Sequence, residues 1–97
     1  MNDELTVERE DAPGHGRYVI HLPGGFEAEM TFRKLGAGVI AIDHTYTPPE
    51  FRGLNIAAKL MDRSIVDARR DNIKIRPVCS YAVAQFRRHP EWADLLA

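Results

Sequence analysis

Apolar and polar residues alternate through the first half of the chain and then change period. Leu5-Thr6-Val7-Glu8-Arg9 alternates and predicts a first strand, followed by the turn cluster Asp11-Ala12-Pro13-Gly14. Arg17 to Leu22 reads as a second strand, broken by Pro23-Gly24-Gly25. Phe26 to Arg33 alternates almost strictly, so one face of this third strand is buried and the other wet. After Gly36-Ala37-Gly38, Val39-Ile40-Ala41-Ile42 is apolar on both faces and predicts a central fourth strand. The short turns favour an antiparallel meander. From Leu54 the apolar residues fall at Leu54, Ile56, Ala57, Leu60, Met61, Ile65 and Ala68, which is a helical stripe. Lys59, Asp62, Arg63, Asp67, Arg69 and Arg70 are expected on the opposite, wet face. Ile73 to Cys79 is a short strand, and Ser80 can cap a second helix through Arg88. Pro90 ends that helix and opens a last helical turn through Leu95, with Trp92 as an anchor for the tail. The element order is β-β-β-β-α-β-α, an α/β (α+β) chain with one mixed sheet.

Length and composition narrow the function classes. A chain of 97 residues is one domain, 1–97. Charged residues are 28% and aromatics 8%, which excludes a disordered chain. The one cysteine, Cys79, excludes an internal disulfide and a multi-thiolate zinc site, and no metal is expected. No apolar run reaches the length of a membrane span. The acidic start, Met1 to Glu4, lacks the features of a secretory signal, so the expected compartment is the cytoplasm.

The formal net charge of −1 argues against a nucleic-acid partner, but it hides an asymmetry. Residues 1–50 hold nine acids and four bases, whereas residues 51–97 hold nine bases and five acids. An anionic ligand suits the second half and a cationic one the first.

The stretch Thr47-Pro48-Pro49-Glu50-Phe51-Arg52-Gly53-Leu54-Asn55-Ile56-Ala57 joins the central strand to the long helix. A helix start offers unpaired backbone N–H groups and the positive end of the dipole, so this turn can seat a phosphate, with Arg52 adding charge. The plainer reading is a glycine-containing turn that lets the helix pack.

Arg52-Gly53-Leu54-Asn55-Ile56-Ala57 resembles the acetyl-CoA pyrophosphate loop of the GNAT N-acetyltransferases, Gln/Arg-x-x-Gly-x-Gly/Ala. Arg52 and Ala57 match its ends. Asn55 stands where the pattern has Gly, and Asn tolerates left-handed backbone better than other residues that carry a side chain. Asp43-His44-Thr45, Pro77-Val78-Cys79-Ser80-Tyr81 and His89-Pro90-Glu91-Trp92 extend the similarity to the small, single-domain YjdJ-type branch of these enzymes. The resemblance covers about Asp43 to Leu96. It implies a compact GNAT-like fold lacking the usual C-terminal strands, with a V-shaped cleft where the central strand splays from its neighbour. It implies acetyl-CoA as co-substrate, its pantetheine arm lying along the strand near His44 to Tyr46. Cofactor contacts are then expected from Thr45, Tyr46 and Thr47, from Arg52, Gly53, Leu54, Asn55, Ile56 and Ala57, and from Ser80 and Arg88. The loop at Arg52, with Lys59, Arg87 or Arg88, would meet the pyrophosphate and the 3′-phosphate.

The implied reaction is acetyl transfer to a primary amine, such as a lysine side chain or a polyamine. Such an amine has a pKa of about 10.4, and its neutral form at pH 7 costs roughly 4.6 kcal/mol. A base, or desolvation of the ammonium, must meet that cost. Backbone N–H groups at the splayed strand can hold the oxyanion. The catalytic candidates are Cys79 and His44. Cys79, at or beside the start of the second helix, can accept the acetyl group, act as a local acid or base, or be a small core residue. His44 has the right intrinsic pKa for a general base. Strand alternation puts it on one face with Ile40 and Ile42, where it would be a buried, hydrogen-bonded histidine. His89 and Glu91 either shape the cleft mouth or cap and pack. His15 and His21 are expected at the surface or a sheet edge. A CoA-binding module with little turnover is the alternative function, and a protein-interaction domain without CoA is a third. The chain is expected to be a monomer or weak homodimer.

Overall fold

A computed structural model describes residues 5–97. The acidic start at Met1 to Glu4 lies outside the described residues. Four strands run as an antiparallel meander, β1 (Val7–Ala12), β2 (His15–His21), β3 (Glu27–Gly36) and β4 (Val39–Tyr46). The helix α1 (Ile56–Asp71) then crosses over, and β5 (Lys74–Pro77) pairs parallel to β4. The sheet order is β1-β2-β3-β4-β5, so β4 is bonded on both edges, as its double-sided apolar pattern predicts. The helix α2 (Ser80–Arg88) and a short 3-10 segment (Pro90–Leu95) end the chain.

The core lies on one face of the sheet. Tyr18, Ile20, Ala28, Met30, Phe32, Ile40, Ile42 and Ile75 pack there against Ile56, Leu60, Met61 and Ile65 of α1 and Ala82 and Phe86 of α2. Trp92 joins the same cluster, edge-on to Phe86 and stacked on His89 with ring centroids 4.0 Å apart. This is the expected tail anchor. The other face carries Glu8, Glu10, Arg17, Glu27 and Glu29, with the Arg17 guanidinium bridging Glu10, Glu27 and Glu29.

Several boundaries differ from the sequence expectation. Asp11 and Ala12 belong to β1, and β2 begins at His15, because the turn needs only Pro13 and Gly14, with Gly14 at φ 82°. The helix α1 starts at Ile56, and Leu54 is 59% exposed rather than part of the apolar stripe. Asn55 precedes α1 in left-handed geometry (φ 62°, ψ 25°), which turns the chain too sharply for Leu54 to enter the helix.

Asp67 is also a correction. It is 2% exposed, on the core side of α1 rather than in water. Burial is tolerated because its carboxylate is fully partnered. It accepts from Tyr18 Oη at 2.8 Å, Arg9 Nη1 at 3.1 Å and Arg63 Nε at 3.1 Å. This network ties β1 and β2 to α1.

Candidate active site

The strand β4 carries one extra residue relative to β3. Phe32 pairs with Ile42, but Thr31 pairs with His44, leaving Asp43 unpaired in a β-bulge. Directly opposed residues share a face. His44 therefore shares the face of Thr31, opposite to Ile40 and Ile42, and is exposed. The alternation that would have buried His44 beside those isoleucines is broken by the bulge. Thr45, paired with Met30, turns instead to the helix side, where its Oγ1 lies 3.5 Å from Cys79 Sγ. Tyr46 returns to the outer face, 42% exposed.

The strands β4 and β5 then part. Their ladder covers only Val39 to Ile42 against Lys74 to Pro77. The amides of Val78 and Cys79 both donate to the Ile42 carbonyl, at 2.9 and 3.1 Å. Past that point β4 continues without β5, while the chain from β5 turns into α2. Cys79, not Ser80, is the N-cap of α2, and its Sγ accepts from the Ala82 amide at 3.4 Å. Ser80 is the first helical residue and is exposed.

Beside the splay is a groove of about 340 Å³. One wall is Thr47, Arg52, Gly53 and Asn55, another is the first turn of α1 (Ile56, Ala57, Ala58), and α2 supplies Tyr81, Gln85 and Arg88. Arg52 and Arg88 bring positive charge, and no acidic side chain among the described residues lines it. The α1 start carries no side-chain cap and no acidic residue in its first turn. Its leading N–H groups therefore lack the partners that a capped helix gives them, and the dipole favours an anion there. Gly53 and Asn55 both have positive φ, 86° and 62°, so the turn keeps its left-handed geometry although Asn replaces Gly. The Arg52 Nε donates to the Thr47 carbonyl at 3.1 Å, which closes the loop back onto the end of β4.

Of the expected cofactor residues, the groove collects Thr47, Arg52, Gly53, Asn55, Ile56, Ala57 and Arg88. Thr45 stands at the splay against Cys79, while Tyr46, Leu54 and Ser80 are exposed and do not line the groove. Lys59 and Arg87 are outside the groove. His89 is bound to Glu91 at 2.9 Å and stacked on Trp92 at the far end of α2, so this pair caps and packs. His15 and His21 are exposed. Phe51, Ala58, Tyr81 and Gln85 also line the groove, outside the expected cofactor contacts. Tyr81, Gln85 and Arg88 recur at i, i+4 and i+7, a spacing that puts them on one helix face. Phe51 is fixed by edge-on packing against Phe26, with centroids 5.5 Å apart. Burial, with the charges of Asp62 and Cys79 nearby, pushes the Tyr81 hydroxyl above its ordinary pKa, so it stays protonated.

A cationic groove at an uncapped helix start, beside a strand split with a thiol at its apex, suits an anionic ligand. The chain matches, over 99% of its length and 91% of the other's, the solution structure of a GCN5-like candidate N-acetyltransferase from Staphylococcus aureus, with TM-score 0.71 and 23% identity, a likeness of fold. No curated protein matches it at a significant level. The family model of the GCN5-related N-acetyl-transferases matches residues 17–95, and the chain belongs to that family.

Proposed function

We propose that this chain transfers the acetyl group of acetyl-CoA to a primary amine. The observation that carries the reading is the groove between the uncapped α1 start and the Tyr81-Gln85-Arg88 face of α2, opening at the β4–β5 splay. The pyrophosphate would sit on the backbone N–H groups from Gly53 to Ala58, with Arg52 and Arg88 as counter-charges. The pantetheine arm would lie along β4 beyond Ile42, where β5 no longer occupies the strand edge. That path brings the thioester to Thr45 and Cys79.

The amine would approach from the outer face, where His44 is exposed. His44 takes the proton from the ammonium, and the amine nitrogen attacks the thioester carbonyl carbon. The C–N bond forms, the tetrahedral intermediate collapses, and the C–S bond breaks. The CoA thiolate leaves with a proton from Tyr81, which burial keeps protonated, and the attacking nitrogen passes its second proton to the Tyr81 oxygen, which restores the hydroxyl. On β1 to β4 the outer face carries Glu8, Glu10, Glu27, Glu29 and Asp43 against Arg17 and Arg33, with Lys74 and Arg76 at its β5 edge, and the acidic side of this face favours a cationic acceptor such as a lysine side chain or a polyamine.

Two assays test this reading. Acetyl-CoA at a hundred times its dissociation constant should stabilise the chain by about 2.7 kcal/mol in a thermal melt. Free CoA should be released in the presence of spermidine or a lysine peptide. An unchanged melt at saturating acetyl-CoA refutes the cofactor. A shifted melt without CoA release reduces the chain to a binding module. Mass spectrometry after acetyl-CoA exposure shows whether the acetyl group rests on Cys79.

A further inference from the structure

The extra residue in β4 decides where every side chain beyond Ile42 points. Without it, the ladder that pairs Phe32 with Ile42 would continue as Thr31 with Asp43, Met30 with His44 and Glu29 with Thr45. His44 would then lie beneath the helices and Thr45 would face away from Cys79. The observed pairs are Thr31 with His44, Met30 with Thr45 and Glu29 with Tyr46. One residue thus puts consecutive side chains on opposite sides of the splay, His44 outward and Thr45 to the sulfur.

A bulge leaves a residue outside the ladder and needs something to hold it. Here the bulged residue supplies its own anchor. The Asp43 carboxylate accepts from Thr31 Oγ1 at 2.5 Å through one oxygen and from Arg33 Nε at 3.2 Å through the other. Thr31 and Arg33 are alternate residues of β3 on the same outer face, so the carboxylate straddles two rungs. Thr31 is also the ladder partner of His44.

We infer that Asp43 is a positioning residue for acetyl transfer. It clamps β4 to Thr31 and Arg33, locks the bulge, and so fixes His44 on the acceptor side and Thr45 against Cys79. The inference rests on the proposed acetyl transfer for its effect on rate, but the clamp is a statement about geometry and is measurable without turnover.

The test compares the wild-type chain with Asp43→Ala and with Thr31→Val, which removes one hydroxyl at nearly constant volume. Nuclear Overhauser contacts between the Thr45 methyl and the Cys79 β-protons report the face of Thr45. In both variants these contacts should weaken or vanish, and the kcat for CoA release with spermidine or a lysine peptide should fall about tenfold to a hundredfold. The KM for acetyl-CoA should change less than the kcat, because the phosphates are held at Arg52 to Ala58 and on α2, away from β3, and only the pantetheine path along β4 meets the clamp. Asp43→Asn keeps one acceptor oxygen and should retain part of the contact and part of the rate. A variant that melts lower but keeps the Thr45–Cys79 contacts and the wild-type kcat overturns the inference and leaves Asp43 as an ordinary surface ion pair. Failure of the functional reading is distinct: the wild-type chain itself then releases no CoA, while the Overhauser contacts still decide the clamp.

Discussion

The sharpest prediction comes from placing a carboxylate where the phosphates should sit. Ala58 lies in the first turn of α1 and lines the groove. Ala58→Glu adds an acid to a helix start that has none, and Glu at this third helical position can also reach the backbone N–H of Asn55. Charge and dipole together should stabilise the free protein by about 0.3–1 kcal/mol. The same carboxylate would face a pyrophosphate of charge about −2 at roughly 6 Å. With an effective dielectric constant between about 40 and 80, the repulsion is about 1.4–2.8 kcal/mol, a tenfold to hundredfold loss of acetyl-CoA affinity. Ala58→Gln is the control, since it has nearly the same size and no charge. The assay is a pair of measurements on each variant, the thermal midpoint without ligand and the Kd for acetyl-CoA by calorimetry. Stability and affinity should move in opposite directions for Glu, and the gap between Glu and Gln should shrink as salt is raised. Equal Kd values for Glu and Gln would refute the helix-start phosphate seat, because only a steric effect would remain.

Other predictions follow from the packing and the thiol. Asp67→Ala leaves Arg9, Arg63, Arg70 and Tyr18 without their shared acceptor and should cost about 2–4 kcal/mol, below the value for a fully buried pair because the three arginines stay partly in water. At about 4–8 °C per kcal/mol for a domain of this size, a midpoint that moves by less than about 5 °C contradicts the network. Burial pushes the Asp67 carboxyl up, but hydrogen bonds from Tyr18, Arg63 and Arg9 outweigh it and hold the carboxyl below its usual range. Its contribution is therefore full above the unfolded value of about 3.9 and lost as pH falls through the lower folded value. Urea melts of the wild type and Asp67→Asn between pH 6 and about pH 2 should converge at the acid end. Ile56→Ala removes a buried side chain and should cost about 2–5 kcal/mol, whereas Leu54→Ala should stay within about 0.5 kcal/mol by the same melts. Cys79→Ala should fold and bind acetyl-CoA, with its principal loss in kcat; an equal fall in affinity would mean that the thiol shapes the groove rather than the reaction.

The fold was largely legible because the hydrophobic period switches cleanly, from near alternation between Phe26 and Arg33 to the helical stripe of Leu60, Met61, Ile65 and Ala68. What misled was local geometry with no periodic trace. Nothing in Ala41-Ile42-Asp43-His44 announces a bulge, since an extra residue is defined only by the partner strand, and strict alternation then assigns His44 to the wrong face. Leu54 failed for a similar reason: it continues the apolar series, but Asn55 in left-handed backbone turns the chain before the helix begins. Asp67 shows the converse, a charged residue on a buried stripe whose partners Arg9 and Tyr18 arrive from β1 and β2, 58 and 49 residues away in the chain. The geometry of the loop before α1 was readable because it is local, with arginine, positive-φ residues and helix start in six consecutive positions. The α2 wall was readable in principle, through the spacing of Tyr81, Gln85 and Arg88, but three polar positions on a helix carry no label until a groove lies beside them.

The central claim is that acetyl-CoA occupies the groove and reaches the splay. An amide NMR titration of the chain with acetyl-CoA tests it directly. The account predicts saturable shifts that cluster at Gly53 to Ala58, at Thr45 to Thr47, and at Cys79, Tyr81, Gln85 and Arg88, with the amides of β1 and β2 little changed. Shifts confined to Arg52 and Arg88 would place only the phosphates, and an unperturbed spectrum at millimolar acetyl-CoA would contradict the account.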